Sequence, residues 1–182
     1  MLMEPMNEAV GKDESGFSLV DVLIAISVLM VGILALLSAM TVAVVGTTQS
    51  TQQATAKEYA VSTMESIFSA RDINNPIITS FSVIANNTTT GGIFLTGPQP
   101  IYNSAGCDGV IGTKDDSWGP DCTQGTSDDL SPVPGFTRQI TITSVQTNVI
   151  QIVVTITYQA NGHTFSESLT SYMGNYNTQT NI

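Results

Sequence analysis

Gly16-Phe17-Ser18-Leu19-Val20-Asp21-Val22-Leu23-Ile24-Ala25-Ile26 opens a run that stays apolar as far as Val45, broken only by small polar residues and one carboxylate. A helix needs about 20 apolar residues to cross the hydrocarbon core of a bilayer. The 24 residues from Val22 to Val45 carry no charge at all. A carboxylate at the head of such a run is costly in hydrocarbon, so Asp21 calls for a partner. Nothing inside the run bears the opposite charge. The expected partner is a charge created by processing, or one on another chain. The bland alternative places Asp21 at headgroup level on an ordinary signal anchor.

Outward from that stretch, residues 1–16 (MLMEPMNEAVGKDESG) read as a leader. They are polar and end at the small residues Ser15-Gly16. On the other side, Thr47 to Ala56 is polar and rich in Ala, Gln and Thr. Beyond it Ala60/Val61, Met64 and Ile67/Phe68 recur at spacings of three and four, which marks one apolar stripe. Lys57, Glu58, Ser62 and Glu65 form the opposite face. Asn74-Asn75-Pro76 stops the pattern. One helix from about Phe17 to about Arg71 would be roughly 80 Å long at 1.5 Å per residue.

Gly16 followed by Phe17-Ser18-Leu19-Val20-Asp21-Val22-Leu23-Ile24-Ala25 resembles the cleavage and methylation signature of type IV prepilins and pseudopilins. The resemblance implies that a prepilin peptidase/N-methyltransferase cuts after Gly16 and methylates the new terminal nitrogen of Phe17. It further implies a filament-core helix over 17–45, held in the bacterial inner membrane with the head in the periplasm until assembly into a pilus or pseudopilus. The implied partners are other pilin subunits, met through that helix, and the inner-membrane assembly machinery. The family usually has Glu where this chain has Asp21, and that acid is held to meet the terminal amine of a neighbouring subunit. Such leaders usually carry net positive charge, whereas here Glu4, Glu8, Asp13 and Glu14 outnumber Lys12. The physical chemistry agrees with the implied pairing. An α-amine is largely cationic at neutral pH, and amine and carboxylate are each expensive alone among apolar helices yet tolerable together.

The 182 residues leave room for one modest domain besides the helix, spanning 46–72 as its amphipathic continuation and 73–182 as a β-rich head. A net charge of -10 with only 5 Lys plus Arg opposes binding to nucleic acid. Cys107 and Cys122 lie in one Gly- and Asp-rich stretch at about 105–131. An even pair in an exported domain reads most simply as one disulfide. The zinc alternative needs four ligands, and the single His163 is distant in sequence.

That stretch contains an internal echo. Asp108 to Asp116 and Asp121 to Asp129 both read D-x-x-x-G-T-x-D-D. Oxygen ligands around a glycine suit Ca²⁺, which makes Asp108, Asp115, Asp116, Asp121, Asp128 and Asp129 candidate ligands. The pattern resembles Asp/Gly-rich calcium loops of extracellular bacterial proteins, without the spacing or terminal Glu of an EF-hand. The plain alternative is two solvated turns, which Asp and Gly favour. No other cofactor is required.

Ile77 to Ile84 (IITSFSVI) reads as a strand. The clearest β signal comes later, in TRQITITSV (137–145), VIQIVVTITYQ (149–159) and HTFSESLTSYM (163–173), with Asn161-Gly162 as a hairpin signal. This predicts a three-strand antiparallel meander whose apolar face the helix stripe covers. The expected class is therefore α+β: a long N-terminal helix packed on a small antiparallel sheet. Helix, central loop and closing meander together resemble the pilus-modification (PilV-type) minor pilins. The expected function is a minor pilin or pseudopilin, a structural subunit of a type IV pilus or type II secretion filament. The alternative is a membrane-anchored, calcium-dependent adhesin. Catalysis is not expected, because no nucleophile motif or phosphate-binding glycine loop is present.

Overall fold

The computed structural model describes residues 16, 18–72, 75–89 and 91–175. Phe17 and the leader therefore lie outside the described residues. The fold is α+β, with one long helix, α1 (Leu19–Asp72), and four strands: β1 (Gln99–Pro100), β2 (Phe136–Gln146), β3 (Val149–Ala160) and β4 (His163–Gly174). The chain divides into two units between Val44 and Val45.

The first unit is the leading half of α1. Its start is fixed by a reciprocal cap: Val20 N–H donates to Ser18 Oγ at 3.3 Å, and Ser18 N–H donates to Asp21 Oδ2 at 3.2 Å. Apolar residues surround this half on every side, and none of its most apolar window is buried. Ser27 and Thr41 return their hydroxyls to the carbonyls of Leu23 and Leu37, so neither presents an unmet donor to an apolar medium. With a mean hydropathy of 2.8, the helix is long and apolar enough to cross a membrane.

The second unit begins where α1 becomes one-sided. Ala56, Ala60, Thr63, Met64, Ile67 and Ala70 are buried, while Lys57, Glu58, Ser62 and Glu65 face solvent. Val61, read from the sequence as part of the stripe, is 45% exposed and lies off it. Three alanines on the covered face let the sheet come close. The sheet order is β1-β2-β3-β4, antiparallel throughout. Ile150, Ile152, Val154, Ile156, Tyr158 and Ala160 on β3 all point into the core, as strict alternation requires. Tyr59, Phe136, Tyr158 and Phe165 continue it as a row of ring contacts with centroids 5.5–6.0 Å apart. Asn161 and Gly162 both have positive φ, at 54° and 78°, which a two-residue turn between antiparallel strands demands.

Two sequence expectations change. Residues 77–84 are not a strand; Phe81–Val83 is a turn of 3-10 helix. The reason is that the β2 edge beside them is already occupied. The edge of β2 is already paired with Gln99 and Pro100, and the Asn86 side chain completes it. Asn86 Nδ2 donates to the Ile140 carbonyl and Asn86 Oδ1 accepts from Ile142 N–H, each at 2.8 Å. The second change is β1 itself, whose residues Gln99 and Pro100 follow Pro98 and carry no strand signal.

Candidate functional site: a duplicated aspartate turn

The connection from β1 to β2 is built from two copies of one turn. Three amide–carboxylate pairs of the first recur thirteen residues on. Val110 N–H donates to Asp108 Oδ1 at 2.7 Å, and Thr123 N–H to Asp121 Oδ1 at 2.8 Å. Gly112 N–H donates to Asp116 Oδ2 at 2.9 Å, and Gly125 N–H to Asp129 Oδ2 at 2.8 Å. Asp108 N–H reaches Asp115 Oδ2 at 2.9 Å, and Asp121 N–H reaches Asp128 Oδ2 at 3.3 Å. The repeat also begins two residues earlier than its Asp residues suggest. A Cβ at Gly106 would stand 2.7 Å from Asp115, and one at Gly119 would stand 2.4 Å from Asp128. The shared unit is thus G-x-D-x-x-x-G-T-x-D-D, a signal already present in the sequence.

At the centre of each copy a threonine hydroxyl faces several oxygens. Thr113 Oγ1 lies 2.8 Å from Asp108 Oδ2, 2.6 Å from Asp115 Oδ1 and 3.1 Å from the Val110 carbonyl. Thr126 Oγ1 lies 3.3 Å from Asp121 Oδ1, 2.6 Å from Asp128 Oδ1 and 3.0 Å from the Thr123 carbonyl. One hydroxyl has one proton to give, so oxygen lone pairs crowd together in both copies. The crowding shows in the titration of the first. Burial pushes Asp108 up to about 6, with the neighbouring Asp115 carboxylate adding to the rise. Burial alone would raise Asp115 too, but hydrogen bonds from Thr113 and from the Asp108 and Cys107 amides hold it below the ordinary range. In the second copy the Thr126 hydroxyl holds the half-buried Asp128 low.

The copies differ in surroundings. Val110, Thr113, Asp115 and Asp116 are buried in the first. Their counterparts Thr123 and Thr126 are exposed and half-buried, and Asp121 to Gly125 all face solvent. Asp116 forms a buried ion pair with Arg138 of β2. Both partners are almost inaccessible, at 5% and 3% exposure. Burial pushes the Asp116 carboxyl up, against Arg138 and the Gly112 amide, and pushes Arg138 down, against Asp116. Asp129, the counterpart of Asp116, has no such arginine, and its Oδ1 is buried without a hydrogen-bond partner. The sequence reading missed Arg138, which sits at an inward position of an alternating strand and looks like an ordinary polar residue there.

Cys107 and Cys122 are bonded to each other, with Cα atoms 5.7 Å apart, and tie the exposed copy to the anchored one. On the chain-entropy account a closed loop of this size contributes about 3 kcal/mol. The bond also removes both sulfurs from metal ligation. The six aspartates do not converge as one cage. Among the described residues no three His, Cys, Asp or Glu side chains are placed to hold a metal ion. The structure instead brings Asp108 and Asp115 together around Thr113, and Asp121 and Asp128 together around Thr126. Asp116 and Asp129 point their carboxylates at the glycine amides.

At the other candidate site, Gly16 is exposed and Asp21 caps its own helix through Ser18 N–H. Asp21 therefore accepts a hydrogen bond from an uncharged donor within the segment. Comparison with protein-family models, with curated proteins and with solved structures gave no match.

The duplicated turn contains its own control. Asp116→Ala leaves Arg138 buried and unpaired, and is expected to cost about 3–5 kcal/mol in urea unfolding. Asp129→Ala in the displayed copy removes only an acceptor for Gly125 N–H and is expected to cost about 1 kcal/mol. Equal losses would contradict the division into anchored and displayed copies.

Proposed function

We propose that this chain is a minor pilin or pseudopilin, a structural subunit held by α1 in the inner membrane before assembly into a type IV pilus or type II secretion filament. The observation that carries the reading is the apolar, fully exposed leading half of α1, which runs without interruption into the helix of a small α+β head. The sequence resemblance at Gly16-Phe17 and Asp21 supports it. On this reading cleavage after Gly16 leaves Phe17 as an N-methylated terminus, and Asp21 exchanges or shares its Ser18 contact with the terminal amine of a neighbouring subunit. Mass spectrometry of protein from native membranes is expected to find methyl-Phe17 as the first residue. Gly16→Leu is expected to leave a precursor that retains residues 1–16. A wild-type chain beginning elsewhere, or an unmodified Phe17, would overturn the reading.

A second reading concerns the head: binding of Ca²⁺ by the aspartate turns, in the service of adhesion. What favours it is that the two copies share their oxygens and glycines while exchanging Val110 and Ile111 for Thr123 and Gln124. Packing is therefore not what the copies preserve. Each copy offers two carboxylates, a threonine oxygen and a backbone carbonyl, all hard oxygen ligands of the kind Ca²⁺ takes. The titration of Asp108 supplies the test. A carboxyl raised from 3.8 to about 6 stabilises the fold below the lower value, and that stability is lost as pH climbs through the upper one. Asp116 pulls in the same direction. In chelator the head's melting temperature is thus expected to fall between about pH 4 and 6, and to fall less in Asp108→Asn. Millimolar Ca²⁺ is expected to reverse the loss at pH 7 in the parent and much less in the variant. No calcium effect on the parent would eliminate this reading and leave the filament reading untouched.

A further inference from the structure

Arg138 is buried with most of its hydrogen-bonding capacity unspent. Only 3% of the residue is exposed, and one proton of Nη2 goes to Asp116. A guanidinium offers N–H donors on all three of its nitrogens. Nε and Nη1 have no acceptor among the described residues, although buried polar groups in folded proteins are met by protein, water or ligand. The polar side-chain atoms sealed in without a partner are Trp118 Nε1 and Asp129 Oδ1. Nε and Nη1 of Arg138 are not among them, so both border open space.

That space is a pair of cavities, and Arg138 and Tyr102 line both. The smaller, about 120 Å³, also touches Gln99, Lys114 and Asp116. The larger, about 320 Å³, is walled by α1 and by residues 101–105. Ile101 is buried in the core, and the residues after it face Tyr59, Ser62 and Thr63 of α1 across the cavity. Two of the polar groups there are already engaged. Thr63 gives its hydroxyl to the Tyr59 carbonyl, and Ser104 Oγ accepts from Gly106 N–H. The hydroxyls of Tyr59, Ser62 and Tyr102 and the amide of Asn103 have no partner among the described residues. Ser62 and Asn103 are exposed, so the mouth of the cavity is open to solvent.

We propose that the larger cavity binds one neutral sugar ring of a glycan, with Arg138 donating to it and Tyr102 and Asn103 donating or accepting. Size, chemistry and charge select that ligand. The volume lies at the lower end of the range for small-ligand sites, about 300–1,000 Å³. The free groups are mixed: the guanidinium only donates, whereas phenol, hydroxyl and amide both donate and accept. A ring bearing several hydroxyls meets both kinds, while Ile101, Ala105, Ile111 and the phenol rings give its C–H groups an apolar wall. Charge decides against an acid. Asp116 already neutralises Arg138, and no other charged residue lines the cavity. The chain carries 15 Asp plus Glu against 5 Lys plus Arg, so its overall field repels an anion. The site needs neither processing at Gly16 nor calcium at the turns, and it can fail while either of those readings holds.

Saturation-transfer NMR on the full chain, in chelator and in a detergent without a sugar headgroup, tests the site. The probes are the methyl glycosides of glucose, galactose, mannose and N-acetylglucosamine, with glucuronate and galacturonate as charged counterparts. At least one neutral glycoside is expected to receive saturation and to bind at least about fivefold tighter than either acid. Tyr102→Phe and Asn103→Ala remove only groups without a partner in the chain. Each is expected to weaken binding about fivefold to tenfold with the melting temperature unchanged. Lys114 lines the smaller cavity and not the larger, so Lys114→Ala is expected to leave binding unchanged. Silence from every neutral glycoside, an acid that binds as tightly or tighter, indifference to Tyr102→Phe and Asn103→Ala, or an equal loss in Lys114→Ala would overturn the proposal.

Discussion

A single helix whose leading half is apolar all round and whose trailing half is one-sided is the constraint on which the rest depends. Through most of the stretch up to Val44 its side chains are apolar and exposed. From Ala56 a narrow buried face appears, and small residues on it admit the sheet. Both stretches belong to α1 (Leu19–Asp72). A helix apolar all round is stable only among other apolar helices or lipid, and the capping of Ser18 and Asp21 lets it begin there with its terminal amides partly met. The head therefore has to be built on the remaining turns of the same rod. The meander is too small to bury its own apolar face, and residues 56–70 are the cover it receives.

The aspartate turns show how one local design serves two environments. Most bonds of their hydrogen-bond lattices correspond, the Cys107 N–H bond to Asp115 excepted because Pro120 has no N–H, so the turn is specified by Asp, Gly and Thr rather than by its neighbours. What the environment decides is everything else. In the core copy a valine packs inward and a buried arginine neutralises the last carboxylate. In the displayed copy a threonine replaces the valine and the carboxylate goes without an arginine. Removing either member of a buried ion pair leaves an uncompensated charge, and Asp116–Arg138 thereby locks the loop to β2. The disulfide does the corresponding work for the displayed copy, which has little core contact of its own.

Much of this was legible before any coordinates. Period-two alternation located β2, β3 and β4 to within a residue or two, and Asn161-Gly162 marked their hairpin. The helix was legible from its apolar run and from the stripe at Met64 and Ile67, because periodicity survives whatever the tertiary context. What failed was long-range. Ile77 to Ile84 has good strand composition but finds its edge taken by Gln99–Pro100 and by Asn86, more than fifty residues from the β2 amide it caps. Arg138 looks like one polar residue in an alternating strand, and only the return of the loop onto the sheet makes it a buried partner.

The central claim, that α1 before Val45 lies in an apolar medium, is tested most directly by fractionating cells that express the full chain or a fragment beginning at Gln49. The account predicts that the full chain sediments with membranes and needs detergent for release, while the fragment is soluble and keeps its disulfide. A full chain recovered as a soluble monomer without detergent would contradict it.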